Sequence, residues 1–236
     1  MKLLAVDTSG YGGSVACSLR AGEVQQRPLS TAGRRHAQTL VLEVQTLLQS
    51  LHVTPGQIDA VAVSIGPGSF TGLRVGVTFA KTFAWAGSAA LVAVDTFQAI
   101  AQQAGDVGRP VAVVSDAQRQ EVFFNRYTWD AENQVAVPEG TVRIERAESV
   151  VAASQSAAGE RSFSDVDGCL WTGPGIDRFA ESFAGVDVAN ATLREPTAAA
   201  VAEIGRWQLA AGDTADPHDL EPLYIRRSYA EENAAR

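Results

Sequence analysis

Two glycine-bearing turns hold the residues best suited to chemistry. The first, Asp7-Thr8-Ser9-Gly10, closes an apolar run, and Gly12 and Gly13 follow it. An acid at a strand end, followed by small polar residues and glycines, can hold a metal-bound phosphate, because glycine lets the backbone come close. The same residues also make an ordinary hairpin turn, where Asp and Gly are favoured. The second turn is GPGSFTGLRVG, Gly66–Gly76. It stands between an apolar run of strand length and a helical stretch, and a helix N-terminus of this kind can receive an anion. It is not a Walker A loop, because no Gly-Lys-Ser/Thr follows at the right spacing. Nor is it a nucleophile elbow, because Ser69 is not within GxSxG.

Read as a helix, the second stretch shows a further pattern. Gly72, Gly76, Ala80 and Ala84 recur at every fourth position. Glycine inside a helix costs about 1 kcal/mol relative to alanine, so two of them need a reason. A small-residue stripe lets another element approach closely. That element is either the chain's own sheet or a partner's helix, and the regular spacing is taken to favour docking. The histidines are His36, His52 and His218, and Leu40 stands where a second helical metal ligand would follow His36. Surface or capping roles are expected for all three. No Ser/His/Asp triad can be assembled. Cys17 and Cys169 lie in apolar runs and are expected to be buried thiols.

The elements that position these residues follow from periodicity. Lys2–Val6, Ser14–Leu19 and Glu23–Leu29 form an N-terminal antiparallel meander. A helix is expected over Arg35–Leu51, with Leu40, Val44, Leu47, Leu48 and Leu51 on one face. Val41 and Leu42 widen its apolar surface beyond one stripe, which hints at contacts on more than one side. A strand over Asp59–Ile65, a helix over Phe70–Ala86, a strand over Ala90–Val94 and a helix over Thr96–Ala104 argue for parallel strands covered by helices. A polar stretch over Gln102–Pro110 marks a boundary between an N-terminal lobe, 1–105, and a C-terminal lobe, 106–236. The second lobe opens with strands Val111–Ser115 and Glu121–Tyr127 around a polar turn, Asp116–Gln120. Helices are expected over Glu145–Ala153, Ile176–Phe183 and Thr197–Ala211, a strand over Cys169–Thr172, and an exposed loop over Ala157–Asp167. Thr197 is placed to cap the last helix and Gly212 to stop it.

Composition limits the functions on offer. The formal charge is -8 over 236 residues, so autonomous nucleic-acid binding, which needs clustered Lys and Arg, is not expected. The only short basic clusters are Arg34-Arg35 and Arg226-Arg227. No apolar run approaches the roughly 20 residues of a membrane span, and MKLLAVDTSG lacks the features of a signal peptide. A cytoplasmic location is expected.

The chain resembles the TsaB (YeaZ) family of the actin-like ATPase superfamily. The resemblance rests on LLAVDTS at Leu3–Ser9, RRHAQTL at Arg34–Leu40, DAVAVSIGPGSFTGLRVGVTFAKTFA at Asp59–Ala84, VDTFQAIA at Val94–Ala101, DAQRQEVFF at Asp116–Phe124 and EPLYIRR at Glu221–Arg227. It covers most of the chain and is weakest over Ala131–Asp167. It implies an α/β, ribonuclease H-like fold of two actin-like lobes with mixed sheets covered by helices. It implies a non-catalytic scaffold subunit for threonylcarbamoyl transfer to the adenosine beside the anticodon of tRNAs that read codons starting with A. The implied partners are a catalytic paralogue, TsaD, and a small ATPase, TsaE, with a homodimer when the paralogue is absent and tRNA reached only through the complex. No cofactor of the chain's own is implied, and ATP or ADP at the partner interface is left open. The lone His36 agrees with a non-catalytic role, since the catalytic paralogue uses a histidine pair. A metallopeptidase and an independent ATPase are the alternatives. Pro174, between Gly173 and Gly175, stands where family members often carry an acid, and it removes a backbone donor. The expected partner surface is His36, Leu40, Gly72, Leu73, Gly76, Phe79 and Ala80. Asp7, Thr8 and Gly12 are the expected vestige of a nucleotide site.

Overall fold

Strand β1 (Leu3–Asp7) is the central strand of the first sheet. It pairs antiparallel with β2 (Ser14–Arg20) and parallel with β4 (Ala60–Gly66). Strand β3 (Glu23–Pro28) extends the antiparallel side and β5 (Ala90–Asp95) the parallel side, giving the order β3-β2-β1-β4-β5. Each face of a strand takes alternate residues, and here both faces are buried. Leu4 and Val6 join one apolar cluster, while Leu3 and Ala5 join the other. The protein is described here by a computed structural model covering residues 1–29, 36–155 and 168–226. The expected loop over 157–167, Arg34, Arg35 and Arg227 lie outside the described residues.

Helices α1 (His36–Ser50) and α2 (Phe70–Gly87) cover the first face of this sheet, through Leu40, Val44, Leu47 and Leu48 from α1 and Val77, Ala80 and Ala84 from α2. The opposite face is covered by α6 (Ala198–Ala210), whose Ala198, Val201, Ala202 and Ile204 meet Leu3, Ala5 and Ala62. Gly205 permits this closeness, since a Cβ there would stand 2.6 Å from Ala62 Cβ. Thr197 caps α6 by accepting from Ala200 N, and Gly212 follows its end with φ +77°.

The second sheet is also mixed. Strand β6 (Val111–Gln118) pairs antiparallel with β7 (Glu121–Asp130) and parallel with β10 (Leu170–Thr172). Two further strands, β8 (Val135–Pro138) and β9 (Arg143–Arg146), both pair antiparallel with β7. Neither was expected from the sequence: each is four residues long and too short to show a period. The turn expected over Asp116–Gln120 is tighter than its polarity suggests. The strands run to Gln118 and resume at Glu121, with Asp116 Oδ1 accepting from Gln118 N at 2.7 Å. Helix α4 (Ala147–Gln155) starts later than expected because β9 claims the preceding residues. Helix α5 (Gly175–Arg178) stops short of Phe183, although Phe179 and Phe183 remain buried in the core.

The helices cross the division expected at 105/106. Helix α3 (Thr96–Ala104) follows the first sheet but buries Phe97, Ile100 and Ala101 against Val111, Val113, Tyr127 and Ala136 of the second. Helix α6 follows the second sheet and covers the first. Side-chain bonds reinforce the α3 seam: Gln98 Nε2 donates to Ala136 O at 2.8 Å, and Gln102 Oε1 accepts from Ala136 N at 2.9 Å. At the head of α3, Asp95 Oδ1 accepts from Phe97 N at 2.7 Å. Its Oδ2 accepts from the Tyr127 hydroxyl at 2.9 Å.

Burial pushes the Asp95 carboxyl above the ordinary carboxylate range, partly countered by the Tyr127 and backbone hydrogen bonds. The native state therefore holds this proton to a higher pH than the unfolded chain does. Its contribution to stability falls as pH rises from the ordinary carboxylate pKa through the raised one. Asp95→Asn keeps an acceptor for the cap and should flatten this slope. Chemical denaturation at a series of pH values would check it, and an unchanged slope would contradict it.

No helix among the described residues is long and apolar enough to cross a membrane.

Candidate functional site

The end of β1 and the start of α2 interlock. Asp7 is fully buried, and its Oδ1 accepts from Ser9 N (3.2 Å), Ser9 Oγ (2.5 Å) and Ser64 Oγ (2.5 Å). Thr8 Oγ1 donates to Gly72 O at 2.7 Å, and Ser69 N donates to Ser9 O at 2.8 Å. Ser69 also caps α2, accepting from Gly72 N at 3.2 Å. The glycines exist for this seam. A Cβ at Gly68 would stand 2.7 Å from Ser9 O, one at Gly72 would overlap Thr8 O, and one at Gly76 would overlap Thr8 Oγ1.

The small-residue stripe of α2 thus faces the chain's own first strand, not a partner. Gly72, Leu73, Gly76 and Ala80 are buried within the protein, and so is Leu40 on α1. These five residues, expected on a docking surface, are thus buried in the isolated chain. The four-residue spacing of Gly72 and Gly76 serves close packing on Thr8, and such a spacing looks the same whichever neighbour requires it. Phe79 is half-buried, with its ring 5.7 Å from that of Phe83. The side chain of His36 lies outside the described residues.

The second lobe repeats the device. Gly173 has φ +104°, and a Cβ there would stand 2.9 Å from Val114 N. One at Gly175 would stand 3.0 Å from Val114 C. Pro174 precedes α5 in helical conformation. In both lobes glycines at the start of a helix bring it onto the lobe's own first strand.

The turn after β1 is also closed from the far end of the chain. Tyr11 N donates to Glu195 Oε2 at 3.4 Å. Glu195 Oε2 lies so close to Gly10 that a Cβ there would be 2.5 Å away, and Pro196 Cδ would be 3.1 Å away. Burial pushes the Glu195 carboxyl above its ordinary pKa, the Tyr11 amide opposes this, and the charges of Asp7 and Asp177 add to it. A Cβ at Gly12, expected with Asp7 and Thr8 as the vestige of a nucleotide site, would meet nothing within 4 Å. A nucleotide phosphate brought to this turn would meet the carboxylates of Glu195 and Asp7.

The outer surface of α1 and α2 has a different character. Val41 and Leu42 on α1 are 62% and 57% exposed, and Trp85 on α2 is 68% exposed. The two helices are neighbours on the same face of the sheet. All three of these exposed apolar side chains therefore stand on two adjacent helices. Val41 and Leu42 were visible in the sequence as a surplus beyond the buried stripe. Trp85 was missed, although a tryptophan off that stripe is a comparable signal. Glu195 was missed because nothing local ties it to a turn near the N-terminus.

Two lobes, each with a mixed sheet flanked by helices and with a glycine-bearing helix start on its first strand, make up an α/β fold that superposes on solved YeaZ structures. The chain belongs to the family described as "TsaD: tRNA N6-adenosine threonylcarbamoyltransferase", whose model matches residues 28–233, and it stands with the TsaB (YeaZ) members. It is 31% identical over 129 residues to the tRNA threonylcarbamoyladenosine biosynthesis protein TsaB of Bacillus subtilis, a match spanning 55% of this chain and 56% of that protein. With the Escherichia coli protein of the same description the identity is 28%, over 98% of this chain and 96% of the other. A Pseudomonas aeruginosa structure described as similar to peptidase YEAZ superposes with a TM-score of 0.79. It is 25% identical, covering 95% of this chain and 99% of that one.

Proposed function

We propose that this chain is a non-catalytic docking subunit in tRNA threonylcarbamoyladenosine biosynthesis, pairing with a TsaD-type catalytic paralogue through the outer face of α1 and α2. The descriptions of its relatives and of its family support the pathway. The observation that carries the docking role is the exposed apolar set Val41, Leu42 and Trp85, with half-buried Phe79 beside it. The non-catalytic role is supported by the turn after β1, where the chain's own Glu195 and Pro196 pack on Gly10.

In this reading the modified base is the adenosine beside the anticodon of tRNAs reading codons that start with A. A TsaE-like ATPase joins the pair, and any ATP or ADP belongs to the partner interface. The chain acts in the cytoplasm as two lobes, 1–105 and 106–236, that exchange covering helices. The net charge of -8 leaves tRNA contact to the assembly. Without the paralogue, the same face supports a homodimer, since a self-complementary patch can pair about a two-fold axis.

Co-purification tests this. Tagged chain mixed with the TsaD-type paralogue should elute as a stable heterodimer in size-exclusion chromatography. Separate elution at micromolar concentrations would contradict the proposal.

A further inference from the structure

The segment after α6 runs back across the first lobe and reaches the second at Arg226. Ala215 N donates to Leu91 O at 2.8 Å, which covers the edge of β5. Lys81 Nζ on α2 donates to His218 O (3.2 Å) and to Leu220 O (2.8 Å). Leu223 N donates to Ile65 O at 2.8 Å, beside the end of β4. The Tyr224 ring then packs on that of Phe70, with centroids 5.2 Å apart. Arg74 completes this seat: its guanidinium lies 3.9 Å over the Phe70 ring, and its Nε donates to the Tyr224 hydroxyl at 2.8 Å.

Two residues further on, the segment holds the other lobe. Arg226 Nη1 donates to Ala117 O at 2.5 Å, and its Nη2 pairs with the Glu121 carboxylate. Ala117 and Glu121 flank the β6–β7 turn, where Gln118, Arg119 and Gln120 all take positive φ (66°, 55° and 63°). Non-glycine residues in this region each cost of order 1 kcal/mol or more and persist only where surrounding contacts hold them. Arg226 supplies two such contacts from outside the turn.

We propose that Leu220–Arg226 is a clasp that fixes the opening between the lobes, with Tyr224 seated on α2 at one end and Arg226 gripping the β6–β7 turn at the other. The link is short. A single residue separates Tyr224 from Arg226, so a chain released at Tyr224 cannot keep Arg226 oriented. The clasp works in the isolated chain and does not depend on which partner docks.

Amide hydrogen exchange and small-angle scattering on the full chain test it. Arg226→Ala should accelerate exchange across Asp116–Glu121 at least about tenfold, since it removes both charge-assisted contacts. Tyr224→Ala, altered only in the first-lobe seat, should accelerate exchange in the same second-lobe turn. Both variants should also increase the radius of gyration. The double variant should do no more than the stronger single one, because the two residues act in series. Tyr224→Phe, which removes only the hydroxyl, should give a smaller effect in the same direction. If Tyr224→Ala leaves exchange in the turn unchanged while Arg226→Ala accelerates it, Arg226 is a local staple and the clasp is refuted. Unchanged scattering in both variants would refute it equally.

Discussion

Replacing Gly72 by alanine is expected to destabilise the isolated chain by about 2–3 kcal/mol, in the range found for overpacking a tight core. Helix propensity alone predicts the opposite sign, a gain of about 1 kcal/mol. The structure decides between them. The new methyl would overlap Thr8 O, a backbone atom of the central strand that cannot turn aside. The Thr8 hydroxyl donates to Gly72 O at 2.7 Å, so moving α2 outward would break that bond as well. Gly76→Ala should also destabilise, because its obstacle is the Thr8 hydroxyl, and turning that hydroxyl away breaks its bond to Gly72 O. Urea denaturation of the isolated chain measures both. Stabilisation by Gly72→Ala would show that α2 stands off from β1. By the same geometry, bulky substitutions at Gly76 are expected to report on folding before they report on any partner.

Leu42→Asp is expected to weaken binding to the TsaD-type paralogue by about 2 kcal/mol or more, a loss of roughly thirtyfold in affinity, while leaving stability within about 0.5 kcal/mol. Leu42 is 57% exposed, so the isolated chain loses little packing. In the complex the carboxylate would be buried in an apolar contact without a partner, which is costly. Trp85→Ala should act in the same direction, since large aromatics are frequent anchors of interfaces. Isothermal titration measures the affinity and thermal melting the stability. Gly72→Ala and Leu42→Asp therefore separate the two faces of the α1–α2 layer. The first acts through the fold with the partner absent, the second through the partner with the fold intact.

Much of the first lobe was legible in the sequence because its strands β1, β4 and β5 are rich in apolar residues and its helices are punctuated. β4, α2, β5 and α3 fall within a residue or two of expectation, between breaks at Gly66–Gly68, Gly87–Ser88 and Gly105. In the second lobe, β8 and β9 were invisible, since four-residue, half-exposed strands show no reliable alternation. The Asp116–Gln120 turn was read as longer than it is because polarity does not distinguish a loop from a strand end capped by its own aspartate. The glycine stripe shows a deeper limit. A four-residue spacing of small residues says that something approaches the helix but not whether it is Thr8 of the same chain or a partner. The exposed apolar residues beside the stripe carried the directional information, and Val41 and Leu42 had already stood out as surplus.

The most direct test is threonylcarbamoyl incorporation into tRNA, reconstituted from purified components with the TsaD-type paralogue and the TsaE-like ATPase. Wild-type chain should restore incorporation that the other components lack without it. Leu42→Asp should fail to restore it at matched concentration, and the chain alone should incorporate nothing. Incorporation by the chain alone, or full restoration by Leu42→Asp, would contradict a non-catalytic subunit that acts by docking through α1 and α2.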